Sequence, residues 1–282
     1  MAGDLEITVA KRAGFCFGVK RAVDLAFQTA KKGRHVYTLG PIIHNPQVID
    51  QLQKQGVRPV DSPDDPRIRT IIIRTHGVPR EVSDDLSARG LTVIDATCPF
   101  VKKAQQYARL LTEEGYQVVI IGDREHPEVQ GLISYAGNNV IVVNTDDPVP
   151  RLKGKVGVVV QTTQPPGVLR NFVSAVVGQV KELKVYNTIC NSTALRLKET
   201  EKMAKKADVM IVVGGRNSAN TAQLAQLCHS LSIPTYHIET SSEIRDDWFH
   251  GKRKIAITAG ASTPEWIIKD VKERISHRGG KG

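Results

Sequence analysis

At 282 residues, with 40% hydrophobic and 24% charged side chains, the chain has the composition of an α/β protein long enough to bury a sizeable core. Its net charge of +10 is scattered over helix faces such as Lys198, Lys202, Lys205 and Lys206 without interleaved aromatics; this argues against nucleic acid and leaves an anionic substrate or an acidic protein as the expected partner. No apolar run approaches the ~20 residues that span a bilayer and the N-terminal residues hold no secretion-type apolar stretch, so a cytoplasmic chain with free or metal-bound cysteines and no membrane contact is expected.

The run EITVA reads as a strand whose following loop, Lys11 to Phe15, delivers Cys16. A helix from Gly18 to Lys32 follows, with apolar spacing at Val19, Val23, Ala26, Phe27 and Ala30 and a stop at Gly33. Then come strand His35–Leu39, a helix opening at Pro46, strands Val57–Val60 and Ile68–Arg74, a helix beginning near Pro79, and strand Leu91–Asp95 leading to Cys98. The order recurs as helix Pro99–Glu114, strand Gln117–Ile121, helix Pro127–Tyr135, strands Val140–Val143 and Lys155–Val160, a long helix Pro166–Leu183 and strand Lys184–Asn187, ending at Cys190. It recurs again as helix Ser192–Lys206, strand Asp208–Val213, helix Ser218–Leu231, strands Thr235–Ile238 and Lys254–Thr258, and helix Pro264–Ile275.

The spacing is the same in each copy. Cys16 to Gly40, Cys98 to Gly122 and Cys190 to Gly214 are equal separations, as are Cys16 to His44, Cys98 to His126 and Cys190 to Ser218. Three copies of one unit imply three lobes. The third copy lacks a final strand, and EITVA is the unassigned strand that leads into a cysteine, so it is expected to complete that lobe. The expected lobes are 17–97, 98–190, and 191–282 together with 1–16. Continuously apolar strands alternating with helices call for α/β lobes with mostly parallel four-stranded sheets covered on both faces. Their carboxyl ends, with Cys16, Cys98 and Cys190, would face one central cavity.

An isolated cysteine at a strand end is usually a small buried hydrophobe, but the repeat reverses that reading for Cys16, Cys98 and Cys190. Three converging thiols can hold a [4Fe–4S] cluster by three corners and leave the fourth iron open as a Lewis acid. Cys228 lies outside the pattern, at apolar spacing with Leu224, Leu227 and Leu231, and reads as core. The loops after the strands carry His44, His76, His126, Glu128, Thr162, Thr163, Ser218, Asn220 and Ser262, several beside helix starts marked by Pro46, Pro79, Pro127 or Pro264. Helix N-termini favour anions, so a phosphorylated substrate is expected there. Zinc on His44, His76 and His126 is the rival metal reading, and it leaves the repeated cysteines unexplained. Glu128 is the carboxylate in these loops whose repeat position matches Asn220 and Pro46, and is the candidate acid.

The motifs AGFCFGVKRAV, GPIIHNPQV, RTHGV, DATCPFV, EHPEVQG, QTT, TIC, NSAN and TAGASTP together resemble the 4-hydroxy-3-methylbut-2-enyl diphosphate reductases across nearly the whole chain. That resemblance implies three α/β lobes arranged as a trefoil around a central iron–sulfur site, a [4Fe–4S] cluster on Cys16, Cys98 and Cys190. It implies reductive dehydroxylation of an allylic diphosphate to isopentenyl and dimethylallyl diphosphates, the last step of the non-mevalonate pathway, with an electron donor such as ferredoxin or flavodoxin. It implies diphosphate binding by His44, His76, His126, Ser218, Asn220 and Ser262, ordering of the hydroxyl end by Thr162 and proton supply by Glu128. The chain departs from the family pattern after the third cysteine, where Ser192 replaces an alanine and Leu197 a glutamine. The alternatives are an iron–sulfur hydro-lyase like quinolinate synthase, which would need no electron donor, and a non-catalytic metal or iron–sulfur sensor.

Overall fold

The computed structural model describes residues 5–33 and 35–277. Residues 1–4 and 278–282, at the outer ends of the third expected lobe, lie outside the described residues. In chain order the first elements are β1 (Glu6–Val9), α1 (Phe17–Lys32), β2 (Val36–Leu39), α2 (Pro46–Lys54), β3 (Val57–Val60), β4 (Thr70–Ile73), α3 (Arg80–Ala88) and β5 (Thr92–Asp95). Next come α4 (Pro99–Glu113), β6 (Gln117–Ile121), α5 (Pro127–Ala136), β7 (Val140–Val143), β8 (Lys155–Val160), α6 (Pro166–Val176) and β9 (Glu182–Val185). The last are α7 (Asn191–Ala204), β10 (Val209–Val213), α8 (Ala219–Ser230), β11 (Thr235–Ile238), β12 (Lys254–Ala259) and α9 (Glu265–Ser276).

Among the described residues the strands form three four-stranded sheets in the orders β3-β2-β4-β5, β7-β6-β8-β9 and β1-β12-β10-β11, with every pairing parallel. The three orders are one order. The strand after the first helix sits second from the edge, and in the third sheet β1 takes the place that β5 and β9 hold in the others. Glu6 pairs with Lys254 and Val9 with Ile257, so the N-terminal strand joins the last sheet, as the missing strand required. No helix among the described residues is long and apolar enough to cross a membrane.

The chain divides into two compact units, a smaller one of Met1–Lys20, Ile43–Asp50 and Ala194–Gly282 and a larger one of Arg21–Ile42 and Gln51–Thr193. In the smaller unit Val209, Ile211 and Val213 face Ile267, Val271 and Ile275 of α9, while Met210 and Val212 face Leu224 and Cys228 of α8. In the larger unit Val118 and Ile120 pack with Ala104, Ala108 and Leu111 of α4, and Val119 and Ile121 with Leu169, Phe172 and Val176 of α6. Alternate side chains of a strand therefore enter two different cores, which is why these strands are apolar throughout.

Two sequence expectations need correction. The helix expected to run from Pro166 to Leu183 ends at Val176, and its strand begins at Glu182 and not at Lys184. Gly178 falls in the turn between them, where glycine is a poor helix former, and Lys181 and Glu182 both donate to the Gly154 carbonyl, which starts the strand early. Short 3₁₀ turns at Ser241–Glu243 and Asp246–Phe249 were not foreseen; they seat Ile244 and Phe249 in the core beneath β10 and β12.

Candidate active site

Each cysteine sits immediately before a helix and is anchored in the same way. The backbone N–H of Cys98 donates to Thr75 (2.9 Å), that of Cys190 to Thr162 (2.9 Å) and that of Cys16 to Ala261 (3.2 Å), each acceptor lying just beyond the third strand of its sheet. The cysteine carbonyls accept from Lys102, Thr193 and Lys20 and so open the helices. None of the three is in a disulfide and all are half-buried, whereas Cys228 is fully buried and its thiol is pushed up to about 11 by desolvation. Soft thiols beside helix N-termini suit an iron–sulfur group, and the Cys228 thiol, held protonated in an apolar core, does not.

The glycine that closes the strand after each cysteine also recurs. Gly40, Gly122 and Gly214 donate to the carbonyls of Val60, Val143 and Ile238 at 2.8–2.9 Å. At Gly122 a Cβ would lie 2.8 Å from Gln161 Cβ and 2.9 Å from Val129 Cγ2, so only glycine lets the turn into His126 lie this close to the loop after β8.

In the larger unit that turn builds a compact polar group. His126 caps α5 through Nδ1, which accepts from the Glu128 N–H at 3.1 Å, and this leaves Nε2 as the protonated nitrogen of the neutral ring. His76 meets the His126 ring edge to face at a centroid separation of 5.3 Å. The Glu128 side chain is 1% exposed and accepts from both the N–H (2.6 Å) and the hydroxyl (2.8 Å) of Thr162. Thr162 thus grips Glu128 with two donors and receives the Cys190 N–H on its carbonyl.

In the smaller unit the equivalent residues do equivalent work. The Asn220 Oδ1 accepts from the Ala261 N–H at 2.9 Å while the Ala261 carbonyl receives the Cys16 N–H. Ser218 caps α8, and the Ser262 hydroxyl lies 3.3 Å from both the Ser218 hydroxyl and the His44 carbonyl. Glu128 and Asn220, equally spaced from their cysteines, therefore accept from corresponding backbone positions. Pro46, at the same place in the first copy, has no acceptor to offer, and the Thr75 N–H goes to the Ile42 carbonyl.

Residues 7–276 match the LytB protein family. The chain belongs to the LytB family. It is 52% identical over 275 residues to the 4-hydroxy-3-methylbut-2-enyl diphosphate reductase of Citrifermentans bemidjiense, covering 96% of this chain and 97% of that one. It is 50% identical over 273 residues to the enzyme of the same name from Geobacter sulfurreducens, again covering 96% and 97%. Among solved structures it resembles (E)-4-hydroxy-3-methyl-but-2-enyl diphosphate reductase, the terminal enzyme of the non-mevalonate pathway, with a TM-score of 0.72, 46% identity and coverage of 97% and 99%. It also resembles the E-1-hydroxy-2-methyl-but-2-enyl-4-diphosphate reductase of Plasmodium falciparum, with a TM-score of 0.88, 26% identity and coverage of 98% and 88%.

Two polar residues of this LytB chain escaped the sequence reading. Gln161 holds the Gly122 turn by accepting from the Asp123 N–H at 3.0 Å, and Arg196 is a buried cation in the smaller unit. A glutamine before two threonines carries no spacing signal. Arg196 lies in α7 among charged residues, and nothing in its spacing marks it as buried.

Desolvation raises the Glu128 carboxyl from 4.5 to about 7, against the pull of the two Thr162 donors. The folded value lies above the unfolded one, so the folded chain binds the extra proton. The resulting stability is fully present below pH 4.5 and is lost as pH rises through 7. The whole excursion is about 3 kcal/mol. Urea unfolding of the wild type and Glu128→Gln at a series of pH values should show the wild type losing stability relative to the variant over that window; parallel curves would mean that Glu128 ionises normally.

Proposed function

We infer that this chain reductively removes the hydroxyl of (E)-4-hydroxy-3-methylbut-2-enyl diphosphate, giving isopentenyl and dimethylallyl diphosphates in the last step of the non-mevalonate pathway. The curated relatives carry this activity over almost their full lengths. The observation that carries the mechanism is the chain Glu128–Thr162–Cys190, which joins a buried, proton-holding carboxyl to the backbone of a cysteine.

We assign Cys16, Cys98 and Cys190 as ligands of a [4Fe–4S] cluster, on the strength of their matching backbone anchors and their equal places before the three helices. Such a cluster supplies single electrons and an open iron that acts as a Lewis acid. The reaction consumes two electrons and two protons, breaks the C–O bond and releases water. Glu128 supplies a proton at its carboxyl oxygen, and Thr162 holds that carboxyl and orders the hydroxyl end of the substrate. His44, His76, His126, Ser218, Asn220 and Ser262 bind the diphosphate, with His126 Nε2–H and the α5 and α8 N-termini as donors to anionic oxygens. The lobes supporting this arrangement are 17–97, 98–190 and 191–282 with 1–16.

The electron source is a small acidic carrier such as ferredoxin or flavodoxin in the cytoplasm, attracted by a net charge of +10. Its second-order rate should fall several-fold as ionic strength rises from about 0.05 to about 0.5 M, because salt screens steering. A flat salt profile would assign the surface charge another purpose. Anaerobic turnover of the allylic diphosphate tests the whole reading: product should form only when a reductant is supplied. A hydro-lyase would turn over without one, and a sensor would bind metal and form no product.

A further inference from the structure

We infer that Arg196 and Glu199 of α7 are positioning residues for Cys16, a claim that rests on the reading of Cys16 as a cluster ligand. The three cysteines are delivered by leads of different length. β5 ends at Asp95 and β9 at Val185, close to Cys98 and Cys190, whereas β1 ends at Val9 and leaves the longest lead before Cys16. A short lead is held by its neighbours, as where Thr97 N–H meets Asp95 Oδ1 at 2.9 Å and Thr188 bonds Val160. The long lead leaves backbone donors and acceptors that its own strand does not satisfy.

Two side chains of α7 satisfy them. The carboxylate of Glu199 accepts from the N–H groups of Lys11 (2.9 Å) and Arg12 (3.0 Å), one on each oxygen. The guanidinium of Arg196, 2% exposed, donates to the carbonyls of Arg12, Gly14 (3.0 Å) and Ala259 (2.8 Å). Arg196 thereby ties the lead to the end of β12, close to Ala261, whose carbonyl receives the Cys16 N–H. Gly14, at φ 101°, makes the turn that brings its carbonyl to the guanidinium, and a Cβ there would lie 3.3 Å from Ile268. The planar fork of arginine reaches several carbonyls at once, which a lysine ammonium cannot reproduce. The lead to Cys98 has a separate clamp, in which Arg21 of α1 donates to the carbonyls of Asp95 (3.2 Å) and Thr97 (3.3 Å), so loss of Arg196 leaves it in place and should fall on Cys16 alone.

The test uses Arg196→Met, Arg196→Lys and the milder Glu199→Gln, prepared anaerobically. In cluster-free protein, alkylation by iodoacetamide is followed at each cysteine by peptide mass spectrometry. In loaded protein, the rate of iron loss to a chelator and the electron paramagnetic resonance spectrum of the reduced state are recorded. Arg196→Met should speed alkylation of Cys16 by roughly ten- to a hundredfold, the scale of local opening when a buried hydrogen-bond clamp is lost. Cys98 and Cys190 should keep their rates, iron should leave faster, and Arg196→Lys should restore part of the protection. Unchanged Cys16 alkylation in both Arg196→Met and Glu199→Gln, or equal acceleration at all three cysteines, would overturn the clamp. Selective acceleration at Cys16 with unaltered iron loss and spectrum would instead remove Cys16 from the ligand set while leaving the clamp standing.

Discussion

Glu128→Gln is expected to keep the fold, the cluster and substrate affinity while losing about 100- to 10,000-fold in turnover, the usual scale of general acid catalysis. The geometry separates the two jobs of this side chain. Its structural job is to accept from the Thr162 N–H, and Asn220 performs that job for the Ala261 N–H with an amide oxygen. An amide is therefore a proven occupant of this position in the repeat. The second acceptor oxygen becomes an NH₂ that can donate to the Thr162 hydroxyl, so the pair survives with the hydrogen bond reversed. What glutamine cannot do is release a proton at neutral pH. Glu128→Ala is a different experiment: it strands both Thr162 donors in a buried site and should cost about 1–3 kcal/mol of stability as well as rate. Single-turnover kinetics on anaerobic Glu128→Gln decide the matter. Hydroxyl loss at the wild-type rate would take Glu128 out of the mechanism and leave Thr162, His126 or the substrate diphosphate as proton source.

The parts of this fold that could be read from the sequence are those written in chain-local spacing. A cysteine, a helix, an apolar strand and a glycine recur at fixed separations because each copy folds as one unit, and the missing strand of the third copy identified the partner of β1. The equal offsets of Glu128 and Asn220 were legible too, but their meaning was not. It lies in the N–H groups of Thr162 and Ala261, which arrive from far along the chain. Arg196 was hidden for the same reason. Its neighbours on α7 give no inward signal, for Leu195 is 43% exposed and Arg196 2%. The carbonyls that draw Arg196 inward belong to Arg12, Gly14 and Ala259, and nothing near it in the sequence announces them. The end of α6 was misread because the strand start is set by the pairing of Lys155 with Glu182, again a tertiary constraint.

Replacing any one of Cys16, Cys98 or Cys190 by serine should strip most of the iron, from about four atoms per chain to below about one, because a cubane held by two thiolates loses the soft donor that fixes its third corner. Serine is close in size and offers an oxygen, so the change tests ligand chemistry more than packing. The backbone anchors of the three cysteines to Ala261, Thr75 and Thr162 do not involve the sulfur and should persist. Cys228→Ser is the control. That residue packs among Met210, Val212 and Leu224, and a serine hydroxyl there has no evident partner, so stability should fall by about 1–3 kcal/mol. Iron should remain, since a thiol pushed up to about 11 by burial supplies no thiolate at neutral pH. Iron and sulfide analysis with an absorption spectrum, taken on each variant under anaerobic conditions, reads the outcome directly. Iron loss in Cys228→Ser equal to that in the other three would show that the loss follows destabilisation and not ligation, and the assignment of the three repeated cysteines would fall with it.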